Sequence, residues 1–411
     1  MPPSDHYDII IAGAGQAGAQ CAQSLRQGGF AGTIALLGEE PVGPYERPPL
    51  SKDYLGGKRD ADRLLLRKPE FWAEKGIDLR TGCRITGVDA AARRVTLAGG
   101  SHLSYGHLVW ATGGRPRPLP CSGADLRGVH AIRTIADIDG LKAEVAPGAR
   151  AVIIGGGYIG LETAAVLRGM GMAVTVLEAQ GRLLARVTSP PVSQFFLKLH
   201  QSHGVDVQLC AQVEALTGQG RVTGVRLVDG RELPADIVIV GVGIIPNVEP
   251  LAAAGLACPN GVQVDAFCRT SDPHILGIGD CARHPNPFAG SDIRLESVQN
   301  AIDQAKVAAD TLLGRDRPYA ALPWFWSDQY DVKMQSAGLA LGQDTIMIRG
   351  EVGQAPFSVL YLRDSRLVAI DCINNPKDFM QAKALIAARR RLDTRRALDR
   401  ETDLRAIALE D

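Results

Sequence analysis

Tyr7-Asp8-Ile9-Ile10-Ile11-Ala12 runs straight into Gly13-Ala14-Gly15-Gln16-Ala17-Gly18 near the start of a 411-residue chain. The first segment is apolar and β-branched enough for a buried strand, and the second spells G-x-G-x-x-G where that strand must turn into a helix. Gly13 permits the tight turn, Gly15 lets backbone approach a pyrophosphate, and Gly18 lets the helix pack closely on the strand. The helix start offers unpaired N–H groups and a dipole to an anion. Thr33-Ile34-Ala35-Leu36-Leu37-Gly38 reads as a second strand ending at Glu39, 21 residues past Gly18, where an acid can accept ribose hydroxyls. Strand, glycines and acid together predict an adenine-dinucleotide site.

The chain then repeats the unit. Ala151-Val152-Ile153-Ile154 leads into Gly155-Gly156-Gly157-Tyr158-Ile159-Gly160, a helical segment, and Ala173-Val174-Thr175-Val176-Leu177 with Glu178, the turn recurring 142 residues after Gly13. Both halves close on an apolar strand running into glycines, Leu108 to Gly114 and Ile237 to Gly243. Two dinucleotide sites imply two dinucleotides. A protein holding two most simply passes electrons between a bound flavin and a diffusible nicotinamide.

Lys and Arg total 45, as do Asp and Glu, so no global field draws nucleic acid or anionic membrane. Met1 to His6 are polar, with no basic-then-apolar pattern of a secretory signal, and the apolar runs are strand-sized, too short to span a bilayer. Eight cysteines at 21, 83, 121, 210, 258, 268, 281 and 372 form no C-x-x-C, as expected of reduced thiols in a cytoplasmic protein. Cys21 falls on the first helix in line with Gly18 and Leu25 and reads as a core thiol. The loop after Glu39 therefore lacks the redox cysteines that disulfide reductases of similar organisation carry in about this place. Lys52 is the informative residue there: either a solvated surface lysine, or one held near a flavin edge by the rigid Pro48-Pro49 lead-in.

Ile77 to Tyr105 reads as a β-meander, a pattern that returns from Val205 to Leu233 with a turn at Asp229-Gly230. Arg115-Pro116-Arg117-Pro118-Leu119-Pro120 is a stiff linker, followed by a short helix near Ile135 to Val145. Glu162 sits one turn into the second fingerprint helix, as a dipole partner or as a functional acid. Glu178 favours NADH, because a carboxylate accepts a 2′-hydroxyl and repels a 2′-phosphate. Arg182 and Arg186 argue the other way, or bind the NADH pyrophosphate. Asn260 to Asp265 and His274 to Asp280 read as strands returning to the first domain, the second placing Asp280 at a ligand crevice. Glu296 to Leu313 reads as a helix. The aromatic cluster Pro323-Trp324-Phe325-Trp326-Ser327-Asp328-Gln329-Tyr330 precedes further strands and reads as core or as an interface. Residues 377 to 405 carry nine Lys/Arg against five Asp/Glu, centred on Arg389-Arg390-Arg391 and read as a solvated helix face. His200 and His203 lack further ligands around them, so no metal site is expected and exposed polar histidines suffice.

At this point the residues resemble one family: the FAD-dependent, NADH-linked ferredoxin reductases of bacterial oxygenase systems, which include putidaredoxin reductase and the reductases of Rieske-type dioxygenases. Arg47 to Lys52, Ala111 to Pro120, Gly155 to Glu162, Arg186 to Ser193, Gly279 to Arg283 and Pro323 to Tyr330 carry the resemblance, which covers essentially the whole chain. It implies a glutathione reductase-like α/β fold: two Rossmann-like domains plus a C-terminal α+β domain. The expected division is an FAD domain over 1–114 and 241–318, an NADH domain over 115–240 and a C-terminal interface domain over 319–411.

The resemblance further implies that Gly13, Gly15, Ala17, Gly18, Glu39 (where relatives often have Asp), Arg47, Lys52, Ile85, Ala111, Thr112, Gly113, Arg133, Asp280, Val298 and Trp326 contact FAD. Gly155, Gly157, Tyr158, Ile159, Gly160, Glu178 and Arg186 would hold NADH. Lys52 and Glu162 would pair beside the flavin as the catalytic residues. The implied partner is a small acidic [2Fe–2S] ferredoxin, met transiently through Arg67, Lys306 and Trp326. Rubredoxin or a nitrite reductase component are alternative acceptors. A redox-switched binding protein like apoptosis-inducing factor shares the architecture; a strongly basic surface would favour it, and the net charge of zero counts against it.

Overall fold

The opening strand forms as His6–Ala12, and its apolar run is continuous because both faces are covered. Ile9 and Ile11 pack with Ala17, Cys21, Ala22 and Leu25 of the helix Gln16–Gln27 and with Ala301, Ala305 and Ala308 of the helix Val298–Leu312. Ile10 and Ala12 face the other way, onto Tyr105, Leu108 and Trp110. In this computed structural model residues 5–409 are described; Met1 to Ser4, read above for the absence of a leader, lie outside them. The chain divides into two compact units: Met1–Glu46, Asp62–Arg115 and Ile245–Pro323 in one, Arg47–Ala61, Pro116–Ile244 and Trp324–Asp411 in the other.

In the first unit Ile34–Leu37, His6–Ala12 and His102–Trp110 pair in parallel, with Ile275–Gly277 joining the last of them. The expected meander is shorter than Ile77 to Tyr105. Ile77–Arg80 joins the nucleotide sheet as a parallel partner of Ile34–Leu37, because the short helix Pro69–Glu74 supplies the crossover that a parallel strand needs. Only Ile85–Asp89, Arg94–Leu97 and His102–Trp110 are antiparallel. Of the return strands, Asn260 to Asp265 shrinks to Val262–Gln263, and the second ends at Gly277 before a 3₁₀ turn over Gly279–Cys281. The helix Val298–Leu312 starts on Ser297, whose hydroxyl accepts from the Asn300 amide.

The second unit repeats the plan. Its parallel sheet runs Asp206–Leu209, Ala173–Glu178, Arg150–Ile154, Ile237–Val240 and Val129–Ala131. Asp206–Leu209 corrects the second meander just as Ile77–Arg80 corrects the first; Val213–Gly218, Val222–Leu227 and Glu232–Pro234 are its antiparallel part. The C-terminal sheet has five antiparallel strands, beginning with Trp324–Gln329, and the helix Pro376–Ala387 packs on Arg366–Ile373. That helix ends before Arg389, so the triple arginine is not a helix face. It lies in the turn that follows, where Arg389 adopts φ 53° and its carbonyl accepts from Arg366.

Candidate functional site: two dinucleotide turns and a buried lysine–glutamate pair

The glycines of both turns do what their spacing predicts. A Cβ on Gly13 would lie 2.3 Å from the Ala111 carbonyl oxygen, and one on Gly18 would lie 1.9 Å from that of Gly13. A Cβ on Gly15 would meet nothing within 4 Å, so open space lies where a pyrophosphate approaches. The second turn matches: 2.4 Å from Gly155 to the Gly241 oxygen, 2.1 Å from Gly160 to the Gly155 oxygen, and nothing near Gly157. Gly15 and Gly157 are also the N-caps of their helices, and neither helix start is closed by a side chain. Both cradles therefore fit a dinucleotide diphosphate.

In the first unit the segment Ala111 to Gly113 lies against Gly13 and is tied down by Asn247. The Asn247 carbonyl accepts from Trp110 Nε1 at 2.8 Å and Thr112 Oγ1 at 2.7 Å, and its amide nitrogen donates to the Gly113 carbonyl at 3.0 Å. Gly279, at φ +76°, passes so close to Ala17 that a Cβ would sit 3.0 Å from it, bringing the 3₁₀ turn of Asp280 against the first fingerprint helix. Glu39 is exposed and pairs with Arg84 at 3.3 Å. Val298 opens its helix, whereas Ile85 packs with the cluster on the sheet face opposite to Ala17. Lys306 pairs with Asp303 at 3.1 Å, and the Arg67 guanidinium lies over Phe71.

In the second unit Glu178 is half-buried and already engaged: Oε2 accepts from the Gly156 amide and Oε1 from that of Gln180, each at 2.8 Å. Arg186 is exposed, with its guanidinium within reach of Gly243. Arg182 is not available to a phosphate, since its guanidinium donates to the carbonyls of Thr188 and Ala185 and to Ser193 Oγ. Thr188 and Ser336 both donate to the buried Asp371, whose carboxyl is pushed up by burial; this ties the loop carrying Arg186 to the C-terminal sheet. Ile159 is exposed, and the Tyr158 ring packs on Phe325, next to Trp326. Arg47 donates to the Arg133 carbonyl.

Lys52 and Glu162 meet. Nζ stands 2.7 Å from Glu162 Oε2, with the carboxylate 1% exposed and the lysine 16%. The prolines at 48 and 49 open a 3₁₀ turn that ends at Ser51, just ahead of Lys52, which pairs with Glu162 of the helix Tyr158–Gly169, so neither the solvated lysine nor the bare dipole partner describes this pair. Sequence reasoning missed two further groups. Ser51 Oγ donates to Oε2 and Ser327 Oγ to Oε1, each at 2.6 Å. Ser327 was visible only as a polar residue inside an aromatic run, and Asn247 had no signal at all.

His200 is also unlike its expectation. It is fully buried, hydrogen-bonded to Gln329 at 2.8 Å, and burial pushes its imidazole down to about 4. All eight cysteines are free; Cys21, Cys268, Cys281 and Cys372 are buried, and burial raises their thiols. No helix among the described residues is long and apolar enough to cross a membrane.

The pyridine nucleotide-disulphide oxidoreductase family model matches residues 7–305, and the reductase C-terminal model matches 324–408. A ferredoxin–NAD(P)(+) reductase of Sphingomonas sp. is 52% identical over 387 residues, 93% of this chain and 94% of that protein. The ferredoxin reductase subunit of 5,5′-dehydrodivanillate O-demethylase from Sphingobium sp. is 48% identical over 405 residues, 98% of each. The crystal structure of the covalent putidaredoxin reductase–putidaredoxin complex matches with a TM-score of 0.94 at 41% identity, covering 98% of this chain and 97% of that one. What the doubled glycine turn implied thus has its name: the chain belongs to the pyridine nucleotide-disulphide oxidoreductase family, and it carries that family's two-nucleotide plan without a cysteine pair.

Proposed function

We propose that this protein is an NADH-dependent FAD reductase that delivers electrons singly to a [2Fe–2S] ferredoxin serving an oxygenase. The carrying observation is the doubled fingerprint, open at its second glycine in both copies, in a chain that also holds a buried Lys52–Glu162 pair and eight free cysteines. The names of its relatives, a ferredoxin–NAD(P)(+) reductase and the ferredoxin reductase subunit of an O-demethylase, support the acceptor. FAD, once bound, supplies the conversion between a two-electron hydride donor and a one-electron carrier.

The chain's own residues bind and orient. Gly13, Gly15 and Gly18 with the first helix N-terminus hold the FAD diphosphate, and Glu39 accepts its ribose hydroxyls. Ala111 to Gly113, packed against that turn, and Asp280, next to the Gly279 that approaches Ala17, contribute the neighbouring contacts. Gly155, Gly157 and Gly160 hold the NADH diphosphate, Glu178 reads its ribose, and Arg186 guides the anion in. Lys52 and Glu162 place a compensated charge pair one helical turn from where the nicotinamide nucleotide is gripped. We assign the FAD domain to 1–114 and 241–318, the NADH domain to 115–240 and the C-terminal domain to 319–411. The same reading places the protein in the cytoplasm, where NADH is available.

Anaerobic mixing of the FAD-loaded protein with NADH should bleach the flavin, and cytochrome c reduction should then depend on added [2Fe–2S] ferredoxin. A protein that takes up no FAD, or whose electrons never reach the ferredoxin, overturns the reading.

A further inference from the structure

The three groups around Glu162 are only the near end of a longer chain of polar contacts. Glu162, ion-paired with Lys52, can only accept, so the single hydroxyl proton of Ser327 must point at Oε1. The Ser327 oxygen is then free to accept, and Gln329 Nε2 reaches it at 3.1 Å. With its nitrogen turned to Ser327, the Gln329 amide presents Oε1 to His200 Nε2 at 2.8 Å. An amide oxygen has no proton to give, so His200 must carry its hydrogen on Nε2. Its Nδ1 is left as an acceptor 3.4 Å from the Tyr330 hydroxyl. Each direction follows from the one before, and all follow from the acceptor-only carboxylate.

We propose that Ser327, Gln329 and His200 are positioning residues, a one-way hydrogen-bond chain that fixes the carboxylate of Glu162 and through it the Lys52 ammonium during hydride transfer. Its effect on rate rests on the NADH–FAD reading above; its hydrogen-bond directions do not. The chain starts on the helix Pro190–Ser202 and runs along the strand Trp324–Gln329, so the C-terminal sheet helps to set the geometry of the pair. Ser327 is 0% exposed, Gln329 1% and His200 0%, so water does not compete for these contacts. Burial, with His203 adding to it, depresses the His200 imidazole to about 4, which keeps the ring in the neutral form that the chain requires.

Long-range ¹⁵N NMR of the histidine-labelled, FAD-loaded protein reads the chain directly, with His200→Gln to assign the signal. The expected result is one neutral tautomer, protonated on Nε2, unchanged from about pH 8 to about pH 5.5. In Ser327→Ala the Gln329 amide loses its acceptor, and that single tautomer should give way to a mixture. Flavin reduction at saturating NADH should slow by on the order of tenfold, the lower end for a hydrogen bond to a charged group, with little change in KM. Ser327→Thr, which keeps the hydroxyl, should restore both signals. A wild-type His200 protonated on Nδ1, or Ser327→Ala reducing flavin at the wild-type rate, overturns the proposal. Because the tautomer is read without turnover, a wild type that ignores NADH would refute the functional reading while the hydrogen-bond directions were still tested.

Discussion

Replacing Glu178 by alanine should move the coenzyme preference by about a hundredfold, and the structure divides that figure into two parts. Each carboxylate oxygen already accepts one backbone N–H, from Gly156 or Gln180, but each keeps a second lone pair for a ribose hydroxyl. A hydrogen bond to a charged acceptor contributes ~1.5–3 kcal/mol, and the half-buried position argues for the lower end, about tenfold in kcat/KM for NADH. For NADPH the carboxylate is a repulsion: at ~5 Å and an effective dielectric of ~20 it costs about 3 kcal/mol per unit charge. Screening by salt over a Debye length of ~8 Å reduces this to roughly half, so its removal should raise NADPH turnover about tenfold. The alanine also frees the two amides that Glu178 now holds, so KM should rise for both coenzymes. Glu178→Gln, which keeps one acceptor oxygen but not the charge, should show the NADPH gain with less of the common loss. Initial rates with ferricyanide as acceptor measure both ratios. A change in the NADH/NADPH ratio below about threefold in the alanine variant would falsify the claim that this acid reads the ribose.

Lys52→Met should slow flavin reduction by NADH in stopped flow, because Glu162 is 1% exposed and would keep only its two serine donors; an unchanged rate would make Lys52 dispensable. Arg349→Met should destabilise the protein by about 3 kcal/mol in urea unfolding, since this buried guanidinium pairs with Asp378 at 2.9 Å and donates to carbonyls of Ala397, Asp399, Arg400 and Thr402. Ser358 and Asn375 still serve Asp378, which is why the lower end applies, and a loss under about 1 kcal/mol would contradict the clasp. Burial lowers His200 and His284 from 6.5 to about 4, so the unfolded chain takes up protons first as pH falls. Stability should be full above about pH 6.5 and drop toward pH 5 by at most about 2 kcal/mol for each ring, read as a fall in Tm that a flat profile would rule out. Charge reversal at Arg67 and Lys306 should raise KM for ferredoxin while sparing NADH-to-ferricyanide turnover, with the larger effect at Arg67 because Asp303 already offsets Lys306; equal KM values would place docking elsewhere.

The nucleotide units were legible because glycine does three different things at three fixed positions, and each has a steric consequence found in the folded chain. Two strands were misassigned for one shared reason. Ile77–Arg80 and Asp206–Leu209 are four residues long and alternate like edge strands of a meander, yet each pairs in parallel with the strand before it. Alternation reports which face is buried, not which neighbour supplies the hydrogen bonds, so so short a strand leaves the partner undecided. The arginine triplet failed differently: its charge was plain, but the helix ends at Ala387, ahead of it.

At the site, what could be read was whatever lies within one motif. Lys52 follows two prolines and Glu162 follows a glycine turn, so each had a local cause. The contacts that hold Glu162 do not: Ser51 lies 111 residues away and Ser327 165 residues away along the chain. Neither has a spacing to recognise, and His200, which seemed an ordinary surface histidine by composition, is instead the far terminus of the same chain of contacts. Closure of a chain through Ser327 also explains why a polar residue stands within Trp324-Phe325-Trp326. An apolar residue at 327 would leave Glu162 Oε1 and Gln329 Nε2 without the partner that Ser327 supplies, a penalty of about 1–3 kcal/mol for each stranded group. The aromatic strand must therefore carry a hydroxyl at that position, and the requirement comes from an acid 165 residues away along the chain rather than from the strand itself.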